Sequence, residues 1–177
     1  MADLVPGREC GECAACCSYY EIARPELRKP RVTLCPYWKG GCTIYDTRPD
    51  VCRDFFCLWR KAPTLDDWWR PDRCGVIIRE VYTDIPAHMV ARAGLIFDLA
   101  GDPAVIDDDR FIQAVASQIL SGVPVFLRTP NPDGAYAGKI FLNDRMASAV
   151  AARDRARLVA ALHAALADAI AMGEARP

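Results

Sequence analysis

Beyond residue 74 the apolar positions fall into two regular rhythms. Gly75 to Thr83 and His88 to Leu99 are rich in β-branched and apolar residues and break at Asp84-Ile85-Pro86, a pattern that predicts two paired strands. Between Asp107 and Leu120, Phe111, Ile112, Val115, Ile119 and Leu120 recur at helical spacing behind a run of acids that suits a helix N-terminus. Val123 to Arg128 and Tyr136 to Leu142 read as two further strands around the turn-rich Thr129-Pro130-Asn131-Pro132-Asp133-Gly134. An alanine-rich helix from Arg145 to Met172 closes the chain, with Met146, Val150, Leu158, Val159, Leu162, Leu166 and Ile170 forming most of its apolar stripe. The order ββαββα predicts an α+β fold, an antiparallel or mixed sheet with helices on one face.

The front of the chain has no such rhythm. Gly11 to Ile22 predicts a short helix, with Cys13, Cys16, Cys17 and Tyr20 at i, i+3, i+4 and i+7, so that thiols line one face. Pro25 to Arg31 is a charged, proline-bounded connector. Val32 to Trp38 and Cys42 to Tyr45 flank Lys39-Gly40-Gly41, which predicts a hairpin with a cysteine on each arm. Thr47-Arg48-Pro49-Asp50 has the hydroxyl, early proline and acid of a helix start, with Cys52 and Cys57 on that helix or at its end. Between the halves, Pro63 to Arg73 is polar and aromatic. The expected organisation is a cysteine-rich module over 1–62, a linker over 63–74 and an α+β domain over 75–177.

Composition narrows the class. An apolar fraction of 52% and a charged fraction of 25% are those of a chain that buries a core. Ten basic and eight acidic residues lie up to Lys61, against twelve and fifteen beyond it, so neither half is a polyelectrolyte. No basic stripe points to nucleic acid and no apolar run approaches a membrane span. The opening Met-Ala-Asp-Leu-Val-Pro-Gly lacks the basic flank and apolar stretch of a secretory signal, which leads to the expectation of a cytoplasmic protein with reduced thiols.

Cysteine changes the picture most. Cys10, Cys13, Cys16, Cys17, Cys35, Cys42, Cys52 and Cys57 put eight of the nine cysteines in the first fifty-seven residues. Reduced thiols at two-residue gaps lose their protons to a soft cation, so all eight are expected metal ligands. The spacing of Cys10, Cys13 and Cys16 matches the opening of a ferredoxin-type iron–sulfur run, while eight thiolates also suffice for two four-sulfur zinc sites. Neighbouring side chains diverge, so Cys16 and Cys17 are expected to serve different metal atoms, and the sequence alone leaves the partition of the eight open. Cys74, standing apart at a strand start, reads as a buried structural thiol. Arg48, Arg53 and Arg60 lie among the ligands and suit either a solvated face or relief of the excess thiolate charge.

The run Cys10-Gly-Glu-Cys13-Ala-Ala-Cys16-Cys17, with Cys35-Pro36, Gly41-Cys42-Thr43-Ile44-Tyr45, Arg48-Pro49 and Cys52-Arg53-Asp54-Phe55-Phe56-Cys57, resembles the CxxCxxCC cysteine-cluster family. That family is described as zinc- or iron-chelating and includes flagellin lysine N-methylases. The resemblance covers roughly residues 10–57 and implies metal chelation by the same eight cysteines. No glycine-rich turn of the kind that cradles S-adenosylmethionine in common methyltransferases accompanies it. The expectation is therefore a metal-binding protein, holding an iron–sulfur cluster or zinc, with redox or group-transfer chemistry at an open cluster. The alternative is a zinc-stapled module that docks a protein partner without catalysis. The four tryptophans read as packing between the halves, His88 and His163 as surface or core histidines, and Asp107 to Asp109 as helix capping.

Overall fold

The computed structural model of the chain describes residues 4–130 and 137–174. The front third is built from very short elements: α1 (Ala15–Tyr19), the ribbon β1 (Ile22–Ala23) and β2 (Arg28–Lys29), α2 (Asp50–Arg53) and α3 (Leu58–Lys61). The helix expected over Gly11 to Ile22 is thus confined to five residues. The Cys10-x-x-Cys13 segment is a turn, Cys13 N–H donating to the Cys10 carbonyl at 2.9 Å, and Tyr20 is already extended. The expected hairpin reduces to one antiparallel bridge between Trp38 and Cys42. Pro36 removes a ladder donor, and Gly40 at φ 80° folds the chain back after a single pair. Thr47 does not cap a helix. It ends a 3₁₀ turn, because Pro49 drives Arg48 into extended backbone and helix α2 begins only after it.

The bridging stretch is folded. Asp66 caps a 3₁₀ turn over Asp67–Trp69 by accepting from Trp68 N–H, and α4 (Pro71–Cys74) follows with proline in its first turn and Gly75 in the left-handed conformation as its stop. Trp69, Pro71 and Cys74 are buried. Arg8 reaches across from the N-terminal side to donate to the carbonyls of Trp59 at 2.5 Å, Ala62 at 2.9 Å and Leu65 at 2.5 Å, and so ties down the end of α3.

Four strands, β3 (Val76–Val81), β4 (Gly94–Leu99), β5 (Val125–Pro130) and β6 (Ala137–Phe141), form a mixed sheet in sequential order. The outer pairs are antiparallel and β4 with β5 is parallel, the crossover running through α5 (Asp109–Leu120). Only the second half of the expected His88–Leu99 strand pairs. Pro86 lacks an N–H and Asp84 takes a positive φ of 58°, so the chain from Tyr82 to Ala93 leaves the sheet. The single terminal helix is two, α6 (Asn143–Ala152) and α7 (Arg155–Glu174). Arg153 is left-handed at φ 52°, and Asp154 starts the second helix by accepting from Arg157 N–H at 3.1 Å. The turn over 131–136 lies outside the described residues.

Period-2 alternation gives the sheet two different faces. Val76, Ile78, Phe97, Leu99, Val125, Leu127 and Ile140 pack against Phe111, Ile112, Val115, Met146, Leu158 and Leu162 of the helices. Trp59, Trp69 and Cys74 join that same core. The opposite face carries Ile96 and Phe126 together with Arg79, Asp98 and Arg128. The front third therefore straddles edge strand β3, with α3 on the helix side and α1 on the other, where the Tyr20 hydroxyl donates to Asp98 at 2.6 Å. No helix among the described residues is long and apolar enough to cross a membrane.

Helix α7 lies so close to β6 that a Cβ on Gly138 would stand 1.9 Å from the Ala169 carbonyl oxygen. Gly138→Ala must push backbone from backbone, and a destabilisation at or above the top of the range for overpacking, about 1–3 kcal/mol, is expected from urea unfolding. A variant as stable as the parent would show that the two elements do not approach this closely.

Candidate metal centre

All nine cysteines are unbridged. Seven of them, Cys10, Cys13, Cys16, Cys17, Cys35, Cys42 and Cys52, line one cavity of about 820 Å³ between the front third and the sheet. Cys57 sits behind it, half-buried at the start of α3 and packed on the main core. Short backbone ties place these sulfurs. The Cys10–Cys13 turn presents two at once, Cys35 N–H donates to the Cys17 carbonyl at 3.0 Å, and Trp38 N–H donates to the Cys35 carbonyl at 3.0 Å before pairing with Cys42.

The thiols act on one another in overlapping sets, which Cys16 and Cys17 join. Burial pushes the Cys52 thiol up, and the charges of Cys17, Cys35 and Cys42 push it the same way. Cys17, Cys35 and Cys52 pack together with Ile22, Leu27 and Trp38 in a small apolar cluster. Cys57 is raised by burial and by Cys10, and Cys13 is raised to about 11 by burial first, with Cys57 among the lesser causes. Cys16 feels Cys10 and Cys13 and also meets Cys17 directly. Hydrogen bonding from Cys16 lowers the Cys17 thiol to about 7, helped by Lys29 and Arg48 against the effect of burial, while Cys16 itself is held well above 9.0. The adjacent Cys16 and Cys17 thiols, at the start of a one-turn helix, each feel the other more strongly than any other group. Among the described residues, no three histidine, cysteine, aspartate or glutamate side chains already converge on a single point.

Cations ring the thiols. The ammonium of Lys29, 3% exposed, donates to the carbonyls of Ser18 at 3.1 Å and Pro30 at 3.0 Å, and its charge acts on Cys17. Arg60, 6% exposed, points Nη1 at Cys10 Sγ at 3.4 Å, and the Arg48 guanidinium lies 3.7 Å over the Tyr45 ring. Arg53 is different: it pairs with Asp50 at the surface. Of the three arginines singled out in the sequence, two face the cavity and one is solvated. Lys29 was missed because the connector that holds it reads as ordinary surface charge.

Cys74 is buried in the main core, its sulfur accepting from Val76 N–H at 3.4 Å, so it stands as a structural thiol of the sheet edge. His88 and His163 lie away from the thiols, on exposed Asp144 at 3.1 Å and Asp107 at 2.8 Å. Asp108 caps α5 through Arg110 N–H at 2.8 Å. Trp59 and Trp69 fill the core shared by the two halves, and Trp38 packs in the small cluster with Cys17, Cys35 and Cys52.

The sequence reading also missed the buried ionic knot on the sheet face. Asp98 is 0% exposed and accepts from Tyr20 OH at 2.6 Å, Arg79 Nε at 3.1 Å and Arg128 Nε. Arg128 in turn lies 5.6 Å from the ring centres of both Tyr19 and Tyr20. The signal was present: Leu95-Ile96-Phe97-Asp98-Leu99 is an apolar strand with a single acid, and such an acid needs partners. Neither a family model nor a curated protein nor a solved structure matches this chain.

Proposed function

We propose that the front third holds soft metal through its eight N-terminal cysteines, as an iron–sulfur cluster or as zinc, in two four-sulfur groups. The first is Cys10, Cys13, Cys16 and Cys57; the second is Cys17, Cys35, Cys42 and Cys52. The observation that carries the reading is the gathering of seven unbridged thiols at one cavity, with Cys57 behind it. The donors suit a thiophilic ion, and the thiols raised by burial would surrender their protons to it. Because no three sulfurs yet share a point, metal would draw each set together, which couples binding to folding.

The two groups differ in surroundings. The second is walled by Ile22, Leu27 and Trp38, as a closed structural site is. The first lies on the ferredoxin-like loop beside Arg60, and an iron–sulfur cluster bound there would supply one-electron chemistry. Cations also fit the charge: eight thiolates around two divalent ions carry a surplus of four negative charges, which Lys29, Arg48 and Arg60 relieve in part.

Anaerobic purification followed by metal and acid-labile sulfide analysis tests this. Two separable losses are expected, with Cys13→Ser emptying the first group and Cys35→Ser the second while each leaves the other filled. Iron with sulfide in the first group supports a redox centre, whereas colourless protein with two zinc ions supports the stapled module with a docking role. Protein that takes up no metal, or one substitution that empties both groups, overturns the two-group reading.

A further inference from the structure

The cavity is larger than the metal proposed for it. A water molecule's share of liquid volume is about 30 Å³ and an ion takes less. About 820 Å³ is open here, inside the range of small-molecule sites. Besides the thiols, the wall formed with the sheet is lined by Tyr20, Arg31, Phe55, Arg79 and Arg128.

The charge of that wall is lopsided. Asp98 gives one oxygen to Arg128 and the other to Arg79 and Tyr20, so its acceptors are already engaged. Arg31 Nε and Nη1 and Arg128 Nη2 are buried without a hydrogen-bond acceptor among the described residues. Both guanidinium groups line this one cavity. Arg60 is already turned toward a thiol, its Nη1 3.4 Å from Cys10 Sγ. Glu9, Glu12 and Glu21 also line the cavity, but all three are exposed. Buried guanidinium N–H groups left unpaired are costly, and a neutral water would satisfy the hydrogen bonds without answering the charge.

We propose that this wall binds a small organic anion, its carboxylate or phosphate oxygens on Arg31 and Arg128 and its apolar body against Ile22, Leu27 and Phe55. Guanidinium groups match either oxyanion, and the three apolar side chains line the same cavity. The site rests on the cavity and its cations and holds whichever metal occupies the thiols.

Benzoate and phenyl phosphate serve as probes, titrated by calorimetry into the full-length, metal-analysed protein at low salt. Saturable binding with a dissociation constant near or below about 1 mM is expected for at least one of them, weakening as sodium chloride is added. The stronger probe identifies the head group. Arg31→Gln should weaken binding about tenfold or more with metal content unchanged, while Arg53→Gln, which removes the same charge outside the cavity, should leave it unaltered. Binding of neither probe by a metal-replete sample, or equal binding by the Arg31→Gln variant, overturns the anion site and leaves the metal proposal standing. A sample that binds the probe yet holds no metal does the reverse.

Discussion

Asp98→Ala is expected to remove about 3–5 kcal/mol of stability, a large part of the 5–15 kcal/mol typical of a folded domain. Asp98 stands in the middle of the sheet on strand β4 and is fully buried. Its two oxygens are the acceptors for Arg79 on β3, Arg128 on β5 and Tyr20 just beyond α1. Taking the carboxylate away leaves two guanidinium groups facing each other across the space it filled, with side-chain exposures of only 26% and 15%. The phenol of Tyr20 loses its acceptor at the same time. Breaking one side of a buried ion pair is costlier than replacing the whole pair, because the charges left behind are neither hydrated nor matched. Tyr20→Phe should cost less, about 1.5–3 kcal/mol, the range for a hydrogen bond to a charged group. It removes the direct tie between the thiol-bearing segment and the sheet and leaves both arginines paired. Urea unfolding of the three proteins checks the order, and an Asp98→Ala variant within about 1 kcal/mol of the parent would show that Asp98 does not hold the knot together.

What the sequence discloses depends on how long each element is. Strands β3, β5 and β6 and helix α5 are legible because five to twelve residues suffice to display a period, and each lies close to where the apolar pattern sets it. The break at Arg153 was hidden, since neither glycine nor proline marks it and an alanine-rich run continues on both sides; Asp154 as a cap was the available clue. In the front third the elements are two to five residues long, too short for periodicity, and their positions follow from prolines and from single backbone hydrogen bonds such as Cys35 to Cys17. The eight cysteines suggest metal ligation by spacing alone, and that proposal rests on the spacing together with the cavity that seven of them line. The two-group partition proposed for them was not legible, because it pairs Cys57 with Cys10, and Cys35 and Cys52 with Cys17, across long stretches of chain.

Removing metal from the holo-protein is expected to strip amide protection from Cys10 to Cys57 and leave the sheet and α5 to α7 protected. The reason lies in what each part buries. The helix side of the sheet carries a continuous core from Val76 to Ala169, whereas the cysteine region holds a separate cluster of Ile22, Leu27 and Cys35, with Cys17, Trp38 and Cys52 partly covered. Between residues 10 and 57 the buried hydrophobic side chains are Tyr19, Ile22, Leu27 and Cys35, a small core for strands two residues long. In the proposed reading, metal supplies what this small core lacks, as it does in structural zinc modules. Residues from Trp59 onward are anchored differently, because Trp59 belongs to the main core and Arg8 clamps the end of α3. Hydrogen exchange before and after chelation should therefore place the boundary of lost protection just before Trp59. Lowering the pH should act in the same direction as the chelator, since protons compete with metal for thiolates held above their ordinary range, such as Cys13 at about 11. Equal protection of residues 10–57 with and without metal would mean that the front third folds by its own packing, and the thiols would then need another explanation than ligation.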